Sequence, residues 1–200
     1  MGNNHETSQN TAQNLKTALV ALGSNQSSVE GGPAETILRA IQIMECKGFK
    51  IQAASRMYVN PAFPAGSGPE YTNAVVAIST NLACDEILEI LHEIEAELGR
   101  ERDVRWGSRT VDLDLLAVEA LVLPDVQMQN HWRALPLPDQ MRQAPEQLIL
   151  PHPRLQDRAF VLVPMAEITP DWLHPTLKKT VLQMLNDLPQ QDRDEVRPTE

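Results

Sequence analysis

Residues 111–115, Val-Asp-Leu-Asp-Leu, alternate apolar and acidic side chains, and this alternation strongly restricts the fold. Successive side chains of a β-strand point to opposite faces, so one face of such a strand would be apolar. Asp112 and Asp114 would then lie together on the other face. Because aspartate is a poor strand former, two at alternate positions need a reason beyond solubility. The pattern predicts a strand over 110–118 that carries two neighbouring carboxylates.

The segments around this strand predict an α+β fold. Apolar runs and alternation are typical of strands, whereas apolar residues at helical spacing, with Pro33 or Asp85 near the start and a glycine at the end, are typical of helices. The strands are expected at 17–22, 49–58, 71–80 and 110–118, and the helices at 33–47 and 85–98. This βαββαβ order matches a ferredoxin-like sheet with helices packed on it. We expect an additional C-terminal strand over 160–168 and a helix over 177–188.

The length of 200 residues and the apolar fraction of 42% suit one globular domain, which we place at 16–188. The polar ends, 1–15 and 189–200, are expected to be disordered. The stretch 124–147 contains four prolines and predicts an irregular excursion. We expect a cytoplasmic protein without a membrane span, because no apolar run approaches the roughly 20 residues that a bilayer requires and no secretory signal is apparent.

Positive charge is concentrated in one segment of an acidic chain. The formal net charge is −10, which argues against a nucleic-acid partner, since such binding needs a basic surface. Four of the 17 basic residues nevertheless fall within ten positions: Arg100, Arg102, Arg105 and Arg109. Guanidinium groups suit bidentate binding of phosphate oxygens, so this segment predicts a small anionic ligand.

The arginines directly precede the two carboxylates, and the combination indicates a site for a magnesium polyphosphate. Mg²⁺ prefers oxygen ligands, and it commonly takes one or two carboxylates and completes its shell with phosphate and water. Arginines would offset the charge that develops during phosphoryl transfer. The sequence contains neither a P-loop nor a protein-kinase glycine-rich loop. Two alternatives use the same residues: a metal-dependent phosphodiesterase or nuclease, and a ferredoxin-like module that only binds nucleotide or metal.

The segment from Gly99 to Asp114, Gly-Arg-Glu-Arg-Asp-Val-Arg-Trp-Gly-Ser-Arg-Thr-Val-Asp-Leu-Asp, resembles the signature of the 6-hydroxymethyl-7,8-dihydropterin pyrophosphokinases of folate biosynthesis. The resemblance spans about residues 17–175 in order. It extends to Ala21-Leu-Gly-Ser-Asn25, Ser55-Arg-Met-Tyr58, Pro69-Glu-Tyr-Thr-Asn73, Leu150-Pro-His-Pro153 and Arg158-Ala-Phe160.

This resemblance implies transfer of pyrophosphate from ATP to the pterin hydroxymethyl group, with release of AMP. It implies two Mg²⁺ ions on Asp112 and Asp114, and catalytic roles for Arg100, Arg109, Asp112 and Asp114. The nucleotide residues that it implies are Glu95, Arg100, Arg102, Trp106, Arg109, His152 and Arg158. The pterin residues that it implies are Asn60, Pro61, Phe63, Tyr71, Asn73, Asp112 and Phe160. ATP and the pterin would be the partners of a monomeric protein.

The resemblance leaves several roles open. Residues 123–147 look like an insertion of about 20 residues ahead of Pro151 and His152. The insertion is compatible with a lid, a contact surface or a surface embellishment. The roles of Arg105 and His92 stay open, and so does the identity of the group that deprotonates the pterin hydroxyl.

Overall fold

The computed structural model of the protein describes residues 15–62, 66, 68–100 and 110–199, and its strands form a single sheet. The strands are β1 (Lys16–Ser24), β2 (Lys50–Ala54), β3 (Tyr58–Asn60), β4 (Tyr71–Thr80), β5 (Asp112–Val118) and β6 (Arg197–Pro198). The helices are α1 (Pro33–Cys46), α2 (Cys84–Glu97), α3 (Val126–Ala134), α4 (Leu137–Arg142), α5 (Ala159–Ile168), α6 (Val181–Asp187) and α7 (Gln190–Asp194), with a 3₁₀ turn at Leu155–Asp157.

All strand pairings are antiparallel, in the order β5-β1-β4-β3-β6, and β2 also pairs with β4. The central strands β1 and β4 are apolar along most of their length because both faces of the sheet are covered. On one face α1 and α2 pack through fully buried side chains that include Ile37, Met44, Ile87, Leu91 and Ile94. On the other face α5 and α6 pack through Val161, Leu162, Met165, Val181 and Met184.

The predicted α+β class, with one antiparallel sheet and packed helices, is confirmed. The predicted strand over 49–58 is divided into β2 and β3. At the end of β2 the backbone N–H of Ser55 still donates to the carbonyl of Val75 at 2.9 Å, whereas the N–H of Val75 donates to the side-chain hydroxyl of Ser55 at 3.0 Å. The chain leaves the ladder there and rejoins it at Tyr58.

The strand predicted over 160–168 is wrong, because this segment is the helix α5. Its residues are apolar on nearly every side, so the segment lacks the periodicity that distinguishes a helix from a strand. Pro164 suggested a broken strand, yet it is buried inside the helix. The helix predicted over 177–188 is present in a shorter form as α6, which Thr180 caps by accepting a hydrogen bond from the N–H of Gln183.

Two segments that were expected to lack regular structure are ordered into elements. The tail after Pro189 forms α7 and then β6, which pairs with β3. One apolar residue in this polar tail, Val196, is only 8% exposed and anchors it. The stretch 124–147 contains α3 and α4, and the side chain of Asp125 caps α3 by accepting from the N–H of Met128 at 2.8 Å. The expected disorder of 1–15 concerns residues that, apart from Leu15, lie outside the described part.

In the described part of the chain, no helix is both long enough and apolar enough to cross a membrane.

Candidate active site

The two acidic side chains of β5 lie where the alternation predicts. Asp112 and Asp114 are both half-buried, whereas Leu113 between them is 3% exposed and belongs to the core beneath α1 and α2. The strand therefore presents two carboxylates on the sheet face that α5 and α6 cover further along. This places two adjacent negative charges at one end of that face.

Each carboxylate has an arginine partner from a different element. The guanidinium of Arg100, just after α2, lies with Nη1 2.8 Å from Oδ1 of Asp112. The guanidinium of Arg158, just before α5, donates from Nη1 to Oδ2 of Asp114 at 3.1 Å. The repulsion between the two carboxylates is thus offset by positive charge on either side. Both arginines reach the site from the ends of helices that pack on opposite faces of the sheet.

A buried glutamate on α2 fixes the relation between this helix and β5. Glu95 is 1% exposed, and its Oε1 accepts a hydrogen bond from the backbone N–H of Leu113 at 2.8 Å. The same oxygen binds the guanidinium of Arg100. A buried carboxylate needs such partners, since an unpaired charge in the interior is costly. Glu95 therefore holds Arg100 and the backbone between the two aspartates at once.

One row of residues crosses three strands and connects the carboxylates with the expected pterin residues. Asp112 lies opposite Gly23 of β1, and Gly23 lies opposite Asn73 of β4. Directly paired residues point to the same face, and neighbouring strands are about 4.8 Å apart, so Asp112 and Asn73 are roughly 10 Å apart along this row. Glycine between them keeps the space open: a Cβ at Gly23 would lie 3.3 Å from Oδ1 of Asn73.

The residues expected around the pterin continue from Asn73 onto β3. The side-chain amide of Asn73 donates to Oδ1 of Asn60 at 2.6 Å, and the amide of Asn60 donates to the carbonyl of Pro61 at 2.8 Å. Tyr71 lies directly opposite Asn60. These four residues therefore form one group at the end of the β3–β4 pair, with amides whose orientation is set by hydrogen bonds.

Phe160, in the first turn of α5, is the aromatic residue expected to stack on the pterin. It is half-buried, and Cζ of Arg158 lies 5.6 Å from the centre of its ring. A guanidinium at this distance from an aromatic face makes a favourable cation–π contact. The arginine that binds Asp114 and the ring expected to stack on the pterin are thus in contact with each other.

His152 lies beside this group and is held by backbone contacts. Its N–H donates to the carbonyl of Leu116 on β5 at 2.8 Å, and its Nδ1 accepts from the N–H of Arg154 at 3.1 Å. Burial, reinforced by the positive charge of Arg158, lowers the pKa of His152 to about 3. The imidazole is therefore neutral at physiological pH, and with Nδ1 accepting, Nε2 carries the proton and can donate to a ligand.

Asp112 and Asp114 fit the donor chemistry of a Mg²⁺ ion that also binds phosphate oxygens. No group of three or more histidine, cysteine or acidic side chains suited to a metal is found among the described residues. The two carboxylates of Asp112 and Asp114 are hard oxygen donors on one strand face. Mg²⁺ is commonly bound by such a pair together with phosphate oxygens and water. The residues present are therefore compatible with magnesium that arrives with a nucleotide.

The structure brings most of the predicted site residues together, and the remaining predicted residues belong to the part of the chain that is not described. Arg102, Arg105, Trp106, Arg109 and Phe63 lie outside the described residues.

Within the described part, the sequence did not predict one cluster of polar side chains. Tyr58, which is 5% exposed and lies opposite Asn73, donates from its hydroxyl to Glu167 at 2.9 Å, and Arg56 binds the same carboxylate at 3.0 Å. Arg56 and Tyr58 belong to one of the matching motifs, but Glu167 comes from a distant helix and carries no local signal.

Comparison with known proteins identifies the family of the chain. The sequence profile of the family described as 7,8-dihydro-6-hydroxymethylpterin-pyrophosphokinase (HPPK) matches residues 19–170. A 2-amino-4-hydroxy-6-hydroxymethyldihydropteridine pyrophosphokinase from Synechocystis is 34% identical over 180 residues, covering 88% of this chain and 78% of the relative. The enzyme of the same name from Bacillus subtilis is 37% identical over 153 residues, covering 76% and 77%.

Solved structures show the same fold at low sequence identity. The HPPK-DHPS wild type of Plasmodium falciparum superposes with a TM-score of 0.59 at 13% identity, covering 86% of this chain and 44% of that one. The structure of that wild type with pteroate gives the same TM-score and covers 42% of its chain. The protein thus spans less than half the length of these structural neighbours. From the profile match and the curated relatives, the chain belongs to the 7,8-dihydro-6-hydroxymethylpterin-pyrophosphokinase family.

Proposed function

We propose that the protein transfers the terminal pyrophosphoryl group of ATP to the hydroxymethyl oxygen of 6-hydroxymethyl-7,8-dihydropterin in folate biosynthesis. The observation that carries this proposal is the row Asp112–Gly23–Asn73 across three strands. Asp112, at one end, is expected to bind the magnesium polyphosphate, and Asn73, at the other end, is expected to bind the pterin ring. The names of the curated relatives support the same reaction. The hydroxymethyl oxygen forms a bond to the β-phosphorus of ATP, the bond from that phosphorus to the oxygen that bridges the α- and β-phosphates breaks, and AMP leaves with that oxygen.

Asp112 and Asp114 are the residues that would hold two Mg²⁺ ions, and magnesium would neutralise the triphosphate and polarise its oxygens. The arginine partners support this assignment. Arg100 and Arg158 each bind one of the two carboxylates, so each can exchange that carboxylate for a phosphate oxygen within a short movement. Arginines in this position stabilise the charge that develops on the transferred group.

The nucleotide side of the proposed site extends beyond these two arginines. His152 is a neutral donor beside them, and Glu95 acts by holding Arg100. In the segment 101–109, Arg102 and Arg109 are proposed as further phosphate ligands and Trp106 as a nucleotide contact.

The pterin side consists of polar groups that read the ring edge and apolar groups that cover its faces. The amides of Asn60 and Asn73 offer both donors and acceptors, as a pterin edge requires. Phe160 and Tyr71 supply flat apolar surface. Pro61 and Phe63 are proposed to complete the pocket. Asp112, in the same row as Asn73, is proposed to orient the attacking hydroxyl and to accept its proton as the new bond forms.

One assay separates this reaction from the alternatives. The full chain is incubated with ATP, Mg²⁺ and the hydroxymethyl dihydropterin, and the nucleotide product is identified. We expect AMP, formed only when the pterin is present. Formation of ADP, or hydrolysis that does not depend on the pterin, would overturn the proposal, and the second result would favour a phosphohydrolase. Absence of turnover with intact binding of ATP would favour a binding module.

Two structural assignments belong to the same proposal. The unit from β1 to β5 with α1 and α2 is proposed to be ferredoxin-like, which the antiparallel order β5-β1-β4 supports. The protein is proposed to act as a monomer, for which light scattering should give a mass close to 22.3 kDa. A mass of twice this value would contradict the second assignment.

A further inference from the structure

The strand that carries Asn60 is short and is paired along both edges. β3 has three residues, Tyr58–Asn60, and one of its edges pairs with β4. Its other edge pairs with β6, where Tyr58 lies opposite Pro198 and Val59 opposite Arg197. A strand of this length makes few ladder hydrogen bonds, so its position depends strongly on the elements at its edges.

The C-terminal segment 196–199 is attached beyond this pairing. The backbone N–H of Thr199 donates to the carbonyl of Met57 at 2.9 Å, and the hydroxyl of Thr199 approaches the same oxygen at 3.3 Å. Val196 is 8% exposed and belongs to a small apolar cluster with Tyr58 and Ala159, the first residue of α5. The segment is therefore fastened both to β3 and to the helix that carries Phe160.

One residue of this segment contacts both ends of the connection between β3 and β4. The backbone of Arg197 pairs with Val59, which precedes the connection. Its guanidinium lies with Nη2 2.8 Å from Oε1 of Glu70, the residue directly before Tyr71. Arg197 thus connects the strand that holds Asn60 with the start of the strand that holds Tyr71.

We infer that the C-terminal segment 196–199 is a positioning element of the pterin site. It holds β3 and Glu70 so that Asn60 and Tyr71 already have the arrangement that the pterin requires, which lowers the ordering cost of binding. The segment does not touch the carboxylates or the arginines of the nucleotide side among its described contacts. Because Val196 also packs against Ala159, the residue after Arg158, the contribution of the segment should appear mainly in pterin affinity and only weakly in ATP affinity. The inference rests on the proposed function.

The first test is a chain that ends at Glu195. We expect the KM for the pterin, and its dissociation constant measured by fluorescence titration, to rise about tenfold, because β3 must then be ordered during binding. The KM for ATP should stay within about twofold. An unchanged dissociation constant for the pterin, or equal increases in the KM values for the pterin and for ATP, would overturn the inference. Failure of the full chain to form AMP would instead refute the proposed function, and the two results are therefore distinguishable.

A second test avoids removing residues. Arg197→Glu should raise the pterin dissociation constant about two- to fivefold, as expected for the loss of an exposed ion pair, and Glu70→Arg in the same chain should restore it. Lys179→Glu is the matched control, because the Lys179–Asp187 pair has the same distance of 2.8 Å and similar exposure but lies away from β3. An equal effect of the control, or no rescue by the double substitution, would overturn the inference even if the shortened chain does not fold.

Discussion

Oε1 of Glu95 accepts a hydrogen bond from the backbone N–H of Leu113 at 2.8 Å, at the position between the two aspartates of the candidate site. The same carboxylate binds Arg100, which in turn binds Asp112. A buried acid on α2 thus sets both the backbone of β5 and the guanidinium beside it. The spacing between helix and strand at this point is controlled by charge as well as by apolar packing.

Replacing Glu95 tests this arrangement. Glu95→Gln keeps an acceptor for Leu113 but leaves Arg100 without its buried anionic partner. We expect a loss of about 1–3 kcal/mol in the free energy of unfolding, because Arg100 loses its buried anionic partner and keeps only the half-buried Asp112. We also expect turnover to fall about tenfold or more, as Arg100 loses its orientation. Urea unfolding and steady-state kinetics measure the two effects.

Glu93→Gln is the control for this substitution. Glu93 is on the same helix and pairs with Lys47 at 2.8 Å, but its side chain is 62% exposed. An exposed pair contributes at most about 1 kcal/mol, so this variant should unfold almost like the wild type. Equal decreases in the free energy of unfolding of the two variants would mean that the buried contacts of Glu95 contribute no more to stability than an exposed ion pair.

Asp112→Asn and Asp114→Asn test the proposed metal ligands. Each change keeps the size of the side chain but removes the negative charge, so turnover should fall by at least about 100-fold. Unfolding free energies should change by no more than about 1 kcal/mol, because both side chains are half-buried on the site face. Calorimetric titration of Mg²⁺ in the presence of a non-hydrolysable ATP analogue should show weaker binding. Asp157→Asn, an exposed acid paired with Arg154, should retain activity; near-normal turnover in both site variants would refute the metal assignment.

Gly23→Ala tests the open space in the row that joins the two halves of the site. The added methyl would lie 3.3 Å from Oδ1 of Asn73, so the asparagine must move and its contact with Asn60 is disturbed. We expect a several-fold rise in the KM for the pterin with a smaller change for ATP. Gly32→Ala is a suitable control, because its methyl would meet only the flexible carboxylate of Glu35. A pterin KM that does not change would show that Asn73 tolerates the shift.

Gln129 connects the insertion to the segment that carries His152. This fully buried side chain on α3 donates to the carbonyl of Pro151 at 3.3 Å and accepts from the hydroxyl of Thr176 at 3.1 Å. Gln129→Met preserves volume but leaves both partners without their bonds, so the free energy of unfolding should fall by about 1–3 kcal/mol. Gln127→Met, at an exposed position of the same helix, should stay within about 0.5 kcal/mol of the wild type. Chemical unfolding of the two variants decides whether the insertion is held to the domain by this residue.

The lowered pKa of His174 should make the free energy of unfolding depend on pH. It is fully buried, its Nδ1 accepts from the N–H of Leu177 at 3.2 Å, and burial together with Arg133 lowers its pKa to about 4. Since the unfolded chain binds this proton near pH 6.5, it binds more protons than the folded protein between these values, and stability falls as the pH is lowered from 6.5 to 4. The loss from this group approaches about 3 kcal/mol.

His174→Asn removes the titrating imidazole and keeps a side-chain acceptor for the N–H of Leu177. Unfolding free energies at pH 7, 5.5 and 4.5 should therefore decrease less in the variant than in the wild type. Parallel curves would mean that the buried imidazole does not contribute to acid sensitivity.

Local features of the site follow from the amino-acid sequence alone. The alternation in 111–115 placed Leu113 in the core and the two aspartates on the opposite face, because the side-chain period of a strand is a local property. Helical spacing and end signals likewise predicted α1 and α2 nearly to their boundaries. The motif between Gly99 and Asp114 indicates phosphate chemistry through its arginines and carboxylates alone.

Which distant residues come into contact depends on the tertiary fold. The row from Asp112 through Gly23 to Asn73, the contact of Glu95 with Leu113, and the pairing of β6 with β3 depend on strand register and helix docking, which no local pattern encodes. Residues 160–168, for which a strand was expected, form the helix α5 because of their packing in the tertiary fold. A segment that is apolar on all sides satisfies either conformation locally, and the sheet face on which it packs selects the helix.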